Sequence, residues 1–535
     1  MRIQPASVPF NPVLTIENLR FGDAVRSFSG QRNNLSFLPW GAAKQPLLRR
    51  AAAAYSDGVS APAGANRPSA RALSLAAQTA FKDSRDFAQV SDLFTLWGQF
   101  IAHCLVHTPE QSGDDTELMQ IPIPNGDPHF GRDDNLRPLA LRRSQYVNEG
   151  KEGKPREQTN KLSSFLDGTA VYGSTPERAR DLRASGNSGK LRVSKQNDGD
   201  WLPYNTNWLF NVEGPGVRDM EASFIAGDVR ANENIALTAM HSLWVREHNR
   251  LCDQISDSNP QLSGDEIYHC ARKIVEALIQ KITYAEYLPL LLGGDGLGPY
   301  KGYDRYNQPG IYTEFSTAAF RLGHPMVHDD VYLLSVSEYV KLIPLKDAFF
   351  RPDIAVKHGL DEYFRGANGR EARALNLHVV DALSNQLFQH GPFTGLDLFA
   401  FNVQRGRDHG LASLNAVREA YGLSVYDSVD QVSVDPRARQ VLSAYDDVMD
   451  IDLWVGGLAE RPRSGAVVGP SFAAILAHQF SLLRSADRFW YQNDAFFADN
   501  PDALAIVNDS TLSDVIKRNT GASLPSNAFI VPSGF

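Results

Sequence analysis

Between Ser91 and Leu105 the apolar residues Leu93, Leu96, Trp97, Phe100, Ile101 and Leu105 recur at helical spacing, with Ser91 placed as an N-cap. The pattern returns in NIALTAMHSLWVREHNRLCDQI (234–255) and over 264–288, 370–386 and 471–484. Strand-like stretches are few and short, VYLLSVS and FIVPS being the best. The expected fold is mainly α: one large helical domain with long irregular loops and little β. Residues 1–45 read as an irregular N-terminal extension, and 46–535 as the domain. Within it, residues 46–80, rich in Ala, Ser, Pro and Gly, read as an extended segment along the surface, and 111–139 as a loop. Length alone allows two to four domains in 535 residues. No linker or internal repeat divides them, so one domain is expected.

Composition excludes several classes. The formal net charge is −9 and no block of Lys or Arg stands out, which argues against nucleic acid or an anionic membrane as partner. No uninterrupted apolar stretch reaches the roughly 18 residues of a membrane-spanning helix. The first residues carry no apolar run of signal-peptide length. The expectation is a cytoplasmic protein, or one exported without an N-terminal signal, and a monomer. Three cysteines, Cys104, Cys252 and Cys270, are too few for a disulfide framework and read as buried thiols.

The polar residues of WGQFIAHCLVHTPE (97–110) carry the chemistry. Gln99 and His103 are four apart and share a helix face. His103 and His107 have the spacing of two zinc ligands, but the glutamate of a metalloprotease helix is missing, because position 104 is Cys. No third ligand follows. A haem enzyme that activates peroxide needs a proximal ligand, a distal base, a cation at the leaving oxygen and basic partners for the propionates. The chain has candidates for each, in widely separated segments.

WGQFIAHCLVHTPE resembles the distal-helix motif of the animal-type haem peroxidases, the peroxidase–cyclooxygenase superfamily. REQTNKLSSFLDGTAVYGS (156–174), AGDVRANENIALTAMHSLWVREHNRLC (226–252), AAFRLGHPMV (318–327) and LFAFNVQRGRDHGLASLN (398–415) match further motifs in the family's order. DLWVGGLAE and ADRFWYQND also agree. Peroxidasin-like and bacterial members are more similar than the mammalian leukocyte enzymes.

The resemblance implies haem b, with hydrogen peroxide oxidising it by two electrons and a small anion or aromatic donor returning them. It implies that His103 is the distal acid–base, Gln99 a partner for distal water or halide, and Arg230 the distal cation. It makes His324 the iron ligand and Asn402 the partner of that ligand's other ring nitrogen. Arg321 and Arg405 match positions near the propionates; Arg407 either assists there or pairs with Asp408. His107 and REHNR (246–250) read as structural.

Three departures modify this picture. The aspartate that forms one haem ester in mammalian members is Ala102, so at most one ester is expected, through Glu233. The methionine of the leukocyte enzyme's sulfonium bond is Asn234. A less oxidising haem is therefore expected, suited to bromide, iodide or thiocyanate rather than chloride. The family's calcium loop is present as Ser163, Phe165, Asp167 and Thr169, but its helix ligand is Cys104, and a thiol is a poor calcium ligand. Calcium is thus a candidate ligand at a weakened site. Two alternatives remain. A fatty-acid dioxygenase of the cyclooxygenase-like branch would carry a radical-forming tyrosine three residues before the proximal histidine, where Arg321 stands. A non-catalytic scaffold would leave His103, Arg230, His324 and Asn402 free to drift, yet all four are intact.

Overall fold

The computed structural model describes residues 14–16, 24–114, 116–130, 139–147, 153–206, 212, 220–294, 296–388 and 395–532. Parts of the expected N-terminal extension (1–13, 17–23) and of the 111–139 loop (115, 131–138) lie outside them. The body is helical. Among the described residues the paired strands form five two-stranded antiparallel ladders.

Asp92–Leu105 is a central helix, with Leu93, Phe94, Trp97, Phe100, Ile101, Cys104 and Leu105 all fully buried. A helix apolar around most of its circumference has to be enclosed. Ser91 precedes it, but its hydroxyl donates to the Ala528 carbonyl (2.9 Å) instead of capping. At the other end Asn160 Nδ2 donates to the Leu105 carbonyl (2.8 Å) and Arg230 Nη2 to the Val106 carbonyl (3.0 Å). The carbonyls at the C-terminal end of the helix are thereby satisfied by side chains.

The longest helix, Ile235–Ser258, crosses this one. Trp97 and Trp244 lie 5.9 Å apart between ring centroids, and the Phe100 and His241 rings meet edge-on at 5.3 Å. Asn234 caps it, its side chain accepting from Leu237 N–H. Gly264–Ile282 follows behind a Ser263–Glu266 capping box and continues through a π turn, Thr283–Tyr287, into Leu288–Leu292. Leu398–Asp408 is capped by Asp397, whose carboxylate also pairs with the fully buried Arg71 (2.6 Å). Pro470–Ser485 forms as the pattern predicts.

Three local expectations are corrected. Residues 370–386 are not one helix: Glu371–Arg373 pairs with strand Phe87–Ser91, and only Asp381–Ser384 is helical. The buried Leu375, Leu377 and Val379 alternate with period two, a pattern the helix-favouring composition conceals. FIVPS is no strand over its described residues: Phe529 is buried against Phe94, Trp97 and Tyr287. The segment 46–80 ends in a helix, Ala70–Ala80, whose buried face includes Leu73 and Ala77. The described part of the N-terminal segment packs into the body, with Arg26 buried in ion pairs to Asp487 (2.9 Å) and Glu276 (3.2 Å).

Candidate active site

The expected residues fall into two groups, near enough for the Arg230 charge of one to act on Arg321 of the other. The first lies on the Asp92–Leu105 helix and on the turn before Ile235–Ser258. His103 is buried. Its Nδ1 lies 3.7 Å from Asp228 Oδ1, beyond hydrogen-bond reach, and has no partner among the described residues. Its Nε2 lies 4.0 Å from Glu233 Oε2. Burial, reinforced by the Arg230 charge, holds the imidazole well below the usual histidine range, so it is a neutral base near pH 7.

Asp228 organises this group. Its carboxylate accepts from Arg230 Nε and Nη2 (both 2.8 Å) and from Arg230 N–H (2.9 Å). Burial alone would raise its pKa, but the charge and hydrogen bonds of Arg230 outweigh it and hold the carboxyl well below the usual range. A close backbone approach sets its place: a Cβ on Gly227 would lie 2.2 Å from the Thr169 carbonyl oxygen. Sequence reasoning missed Asp228. The available signal was local, since an Asp accepting from the N–H two residues on is an Asx turn. Asp228→Ala is expected to cost about 3 kcal/mol by leaving Arg230 without its anion; an unshifted urea midpoint would show that the pair contributes nothing to stability.

Glu233 borders a solvent-accessible cleft. Its side chain keeps 31% of its surface accessible, yet the enclosing protein still desolvates it. Burial, opposed by Arg230, pushes its carboxyl up to about 7. Gln99 Nε2 donates to Glu233 Oε1 (3.0 Å), and Asn234 Nδ2 donates to Gln99 Oε1 (3.2 Å).

The second group sits on two short turns, Ala319–Arg321 and His324–Met326, and on the helix Leu398–Asp408. These turns pack on the first helix: a Cβ on Gly323 would touch Thr95 Cγ2 at 3.6 Å, one turn before Gln99. Asn402 Nδ2 lies 2.7 Å from His324 Nδ1, and Arg321 Nη1 donates to Asn402 Oδ1 (2.9 Å). Burial and the Arg321 charge hold His324 at about 3, so the ring is neutral near pH 7. Arg321 donates only to neutral acceptors, Asn402 and the Ser316 carbonyl. Burial and the charges of Arg405 and Arg230 pull it down to about 9, which fits a half-buried cation with no anion beside it among the described residues.

Some expected residues lie in other networks. Arg405 donates to Glu110 (2.7 Å) and Asp408 (3.0 Å), yet its charge reaches Arg321. Arg407 neither faces this cleft nor pairs with Asp408. It pairs with Asp452 (2.7 Å), while Asp408 takes Arg143 and Arg405. REHNR is a set of ion pairs: the fully buried Glu247 accepts from Arg250, Arg518 and Asn519. No group of three or more His, Cys, Asp or Glu side chains fit to hold a metal ion occurs among the described residues, which leaves the His103–His107 spacing without a third ligand.

The profile described as animal haem peroxidase matches residues 25–529, nearly the whole chain. The chain belongs to the animal haem peroxidase family. Membership implies a haem cofactor. Thyroid peroxidase of Canis lupus familiaris is 35% identical over 95% of this chain, and peroxidasin of Drosophila melanogaster 32% over 93%. The chain spans 59% and 35% of those two proteins. Among solved structures, peroxidase A of Dictyostelium discoideum superimposes with a TM-score of 0.85 at 29% identity, covering 95% of this chain and 99% of that one. A fatty acid alpha-dioxygenase of Arabidopsis thaliana reaches 0.76 at 18% identity over 97% and 86%, a likeness of fold alone. The mainly helical expectation and the family resemblance both hold.

Proposed function

We propose that this chain is a haem-dependent peroxidase that reduces hydrogen peroxide and oxidises small anions or aromatic donors. The observation carrying this reading is the neutral, buried His103 beside the Asp228-anchored Arg230, together with a neutral His324 held by Asn402. Haem fits these residues. His324 supplies a neutral nitrogen ligand, and Arg321, short of an anion, suits a propionate. Bound haem supplies the redox iron that accepts oxidising equivalents from peroxide and passes them to a donor.

The Asp228 carboxylate favours the tautomer with the His103 proton on Nδ1, leaving Nε2 as the base. That nitrogen takes a proton from hydrogen peroxide and returns it to the oxygen that leaves as water. Arg230 adds fixed positive charge where the leaving oxygen becomes negative. Asn402 holds the His324 ring. The dioxygenase reading is disfavoured by Arg321 at the position of the radical-forming tyrosine.

Haem-loaded protein is expected to show a Soret band that shifts on adding peroxide and recovers with bromide, iodide, thiocyanate or an aromatic donor. Chloride is expected to be the poorest donor, because Ala102 and Asn234 leave Glu233 as the one linking position. A Soret band unmoved by peroxide would sink the peroxidase reading; oxygen consumption with a fatty acid would favour the dioxygenase.

Calcium fits the 163–169 loop poorly. The hydroxyls of Ser163 and Thr169 both donate to Asp167, which is the loop's one carboxylate and lies under the positive charge of Arg26. Burial pushes the Cys104 thiol far up, so it offers no anionic ligand. Metal analysis and mass spectrometry of the holoprotein are expected to find no stoichiometric calcium and at most one haem-linked peptide, through Glu233. Chelator-resistant calcium or two linked peptides would contradict this.

A further inference from the structure

Three amides form a hydrogen-bond chain of one polarity in the cleft. Leu237 N–H donates to Asn234 Oδ1 (2.8 Å), Asn234 Nδ2 to Gln99 Oε1 (3.2 Å), and Gln99 Nε2 to Glu233 Oε1 (3.0 Å). The direction is fixed at one end by a backbone N–H, which can only donate. An ionised carboxylate at the other end can only accept. Asn234 cannot turn over without placing its NH2 against Leu237 N–H. Its own backbone is held by a bridge to Phe349, and that of Glu233 by Phe350 N–H (3.4 Å).

We infer that Asn234 is a positioning residue: it locks the Gln99 carboxamide so that an N–H donor, never the carbonyl oxygen, is presented to Glu233 and to the cleft. This rests on the peroxidase reading for its consequence and deepens it. The second hydrogen on Gln99 Nε2 becomes a fixed donor for a small anion such as thiocyanate. Glu233, gripped at Oε1, keeps Oε2 towards His103. The charged and titratable groups facing Glu233 among the described residues are Arg230 and Asp228 from its own turn and His103 from the facing helix. The Phe349–Phe350 segment contributes backbone.

Asn234→Asp tests this. It keeps the cap, because one carboxylate oxygen still accepts from Leu237 N–H, but it turns the donor to Gln99 into an acceptor. The Gln99 amide must then reverse and set its oxygen against Glu233. On the haem-loaded protein, thiocyanate binding followed by the Soret shift is expected to weaken about tenfold, the scale of one hydrogen bond to an ion. Asn234→Ser, which keeps a cap and only releases Gln99, should weaken it less. A haem-independent readout is the pH dependence of urea unfolding of the full chain, with Glu233→Gln as reference. Glu233 titrates above its ordinary range when folded, so its share of stability is present at low pH and lost as pH rises through about 7. Asn234→Asp is expected to move that loss to higher pH. If the aspartate variant fails to fold, the serine variant read in both arms decides. Unchanged thiocyanate affinity and an unchanged pH midpoint would overturn the lock and leave Asn234 as a helix cap. Absence of a Soret band with a shifted midpoint would instead sink the haem reading and keep the lock.

Discussion

Replacing His103 with alanine is expected to slow the reaction with hydrogen peroxide by roughly 10²–10⁴-fold, the usual worth of a positioned acid–base group. The size of the effect follows from the absence of a substitute. Glu233 is 4.0 Å from His103 Nε2, but burial leaves it about half protonated near neutrality, and Gln99 occupies its other oxygen. Arg230 is always charged and cannot accept a proton. Stopped-flow mixing of the haem-loaded variant with peroxide measures the loss. Haem content and the ferric spectrum should stay near wild type, since the ligand group on His324–Met326 is untouched. A variant reacting within tenfold of wild type would move the base to Glu233, and Glu233→Gln would then show the deficit. On acidification of wild type the same deficit should set in only below the pH at which a free histidine gains its proton, because burial and Arg230 hold His103 below its ordinary range.

His324→Ala is expected to abolish stable haem incorporation and, with it, peroxidase activity. Asn402 can orient a ligand and Arg321 can pair with a propionate, but neither offers a neutral nitrogen to iron. The Soret absorbance per protein of the reconstituted variant should fall to a small fraction of wild type. External imidazole should restore part of it, by filling the space the ring leaves. Circular dichroism is expected to stay unchanged, because His324 sits on a three-residue turn and no helix of the core depends on its ring. Full haem retention in this variant, with an unchanged spectrum, would show that another residue ligates.

Much of this site could be read from sequence, for a physical reason. Gln99 and His103 share a face because a helix repeats every 3.6 residues, and the apolar positions around them fix that face. Glu233 and Asn234 sit against Gln99 because the second helix begins there with an asparagine cap. Contacts across long loops were less readable. Arg407 lies beside Asp408 in sequence, yet its ion pair is with Asp452, because consecutive residues of a helix point to different sides. Asp228 was passed over since its importance comes from Arg230 and His103 converging on it, which no spacing encodes. Residues 370–386 misled because alanine and leucine favour a helix, while Phe87–Ser91 needed a strand partner. Propensity yields to tertiary demand at such a place.

The helix that carries His103 is braced by residues far downstream. Ser91 donates to Ala528, 437 positions later in the chain, and the Phe529 ring packs tilted against Trp97 and edge-on against Phe94 and Tyr287. During synthesis that helix is made 437 residues before its brace. For most of translation its apolar flank lacks part of its cover and stays open to chaperones. The wall of the His103 helix is therefore complete only once residues 528 and 529 have been added.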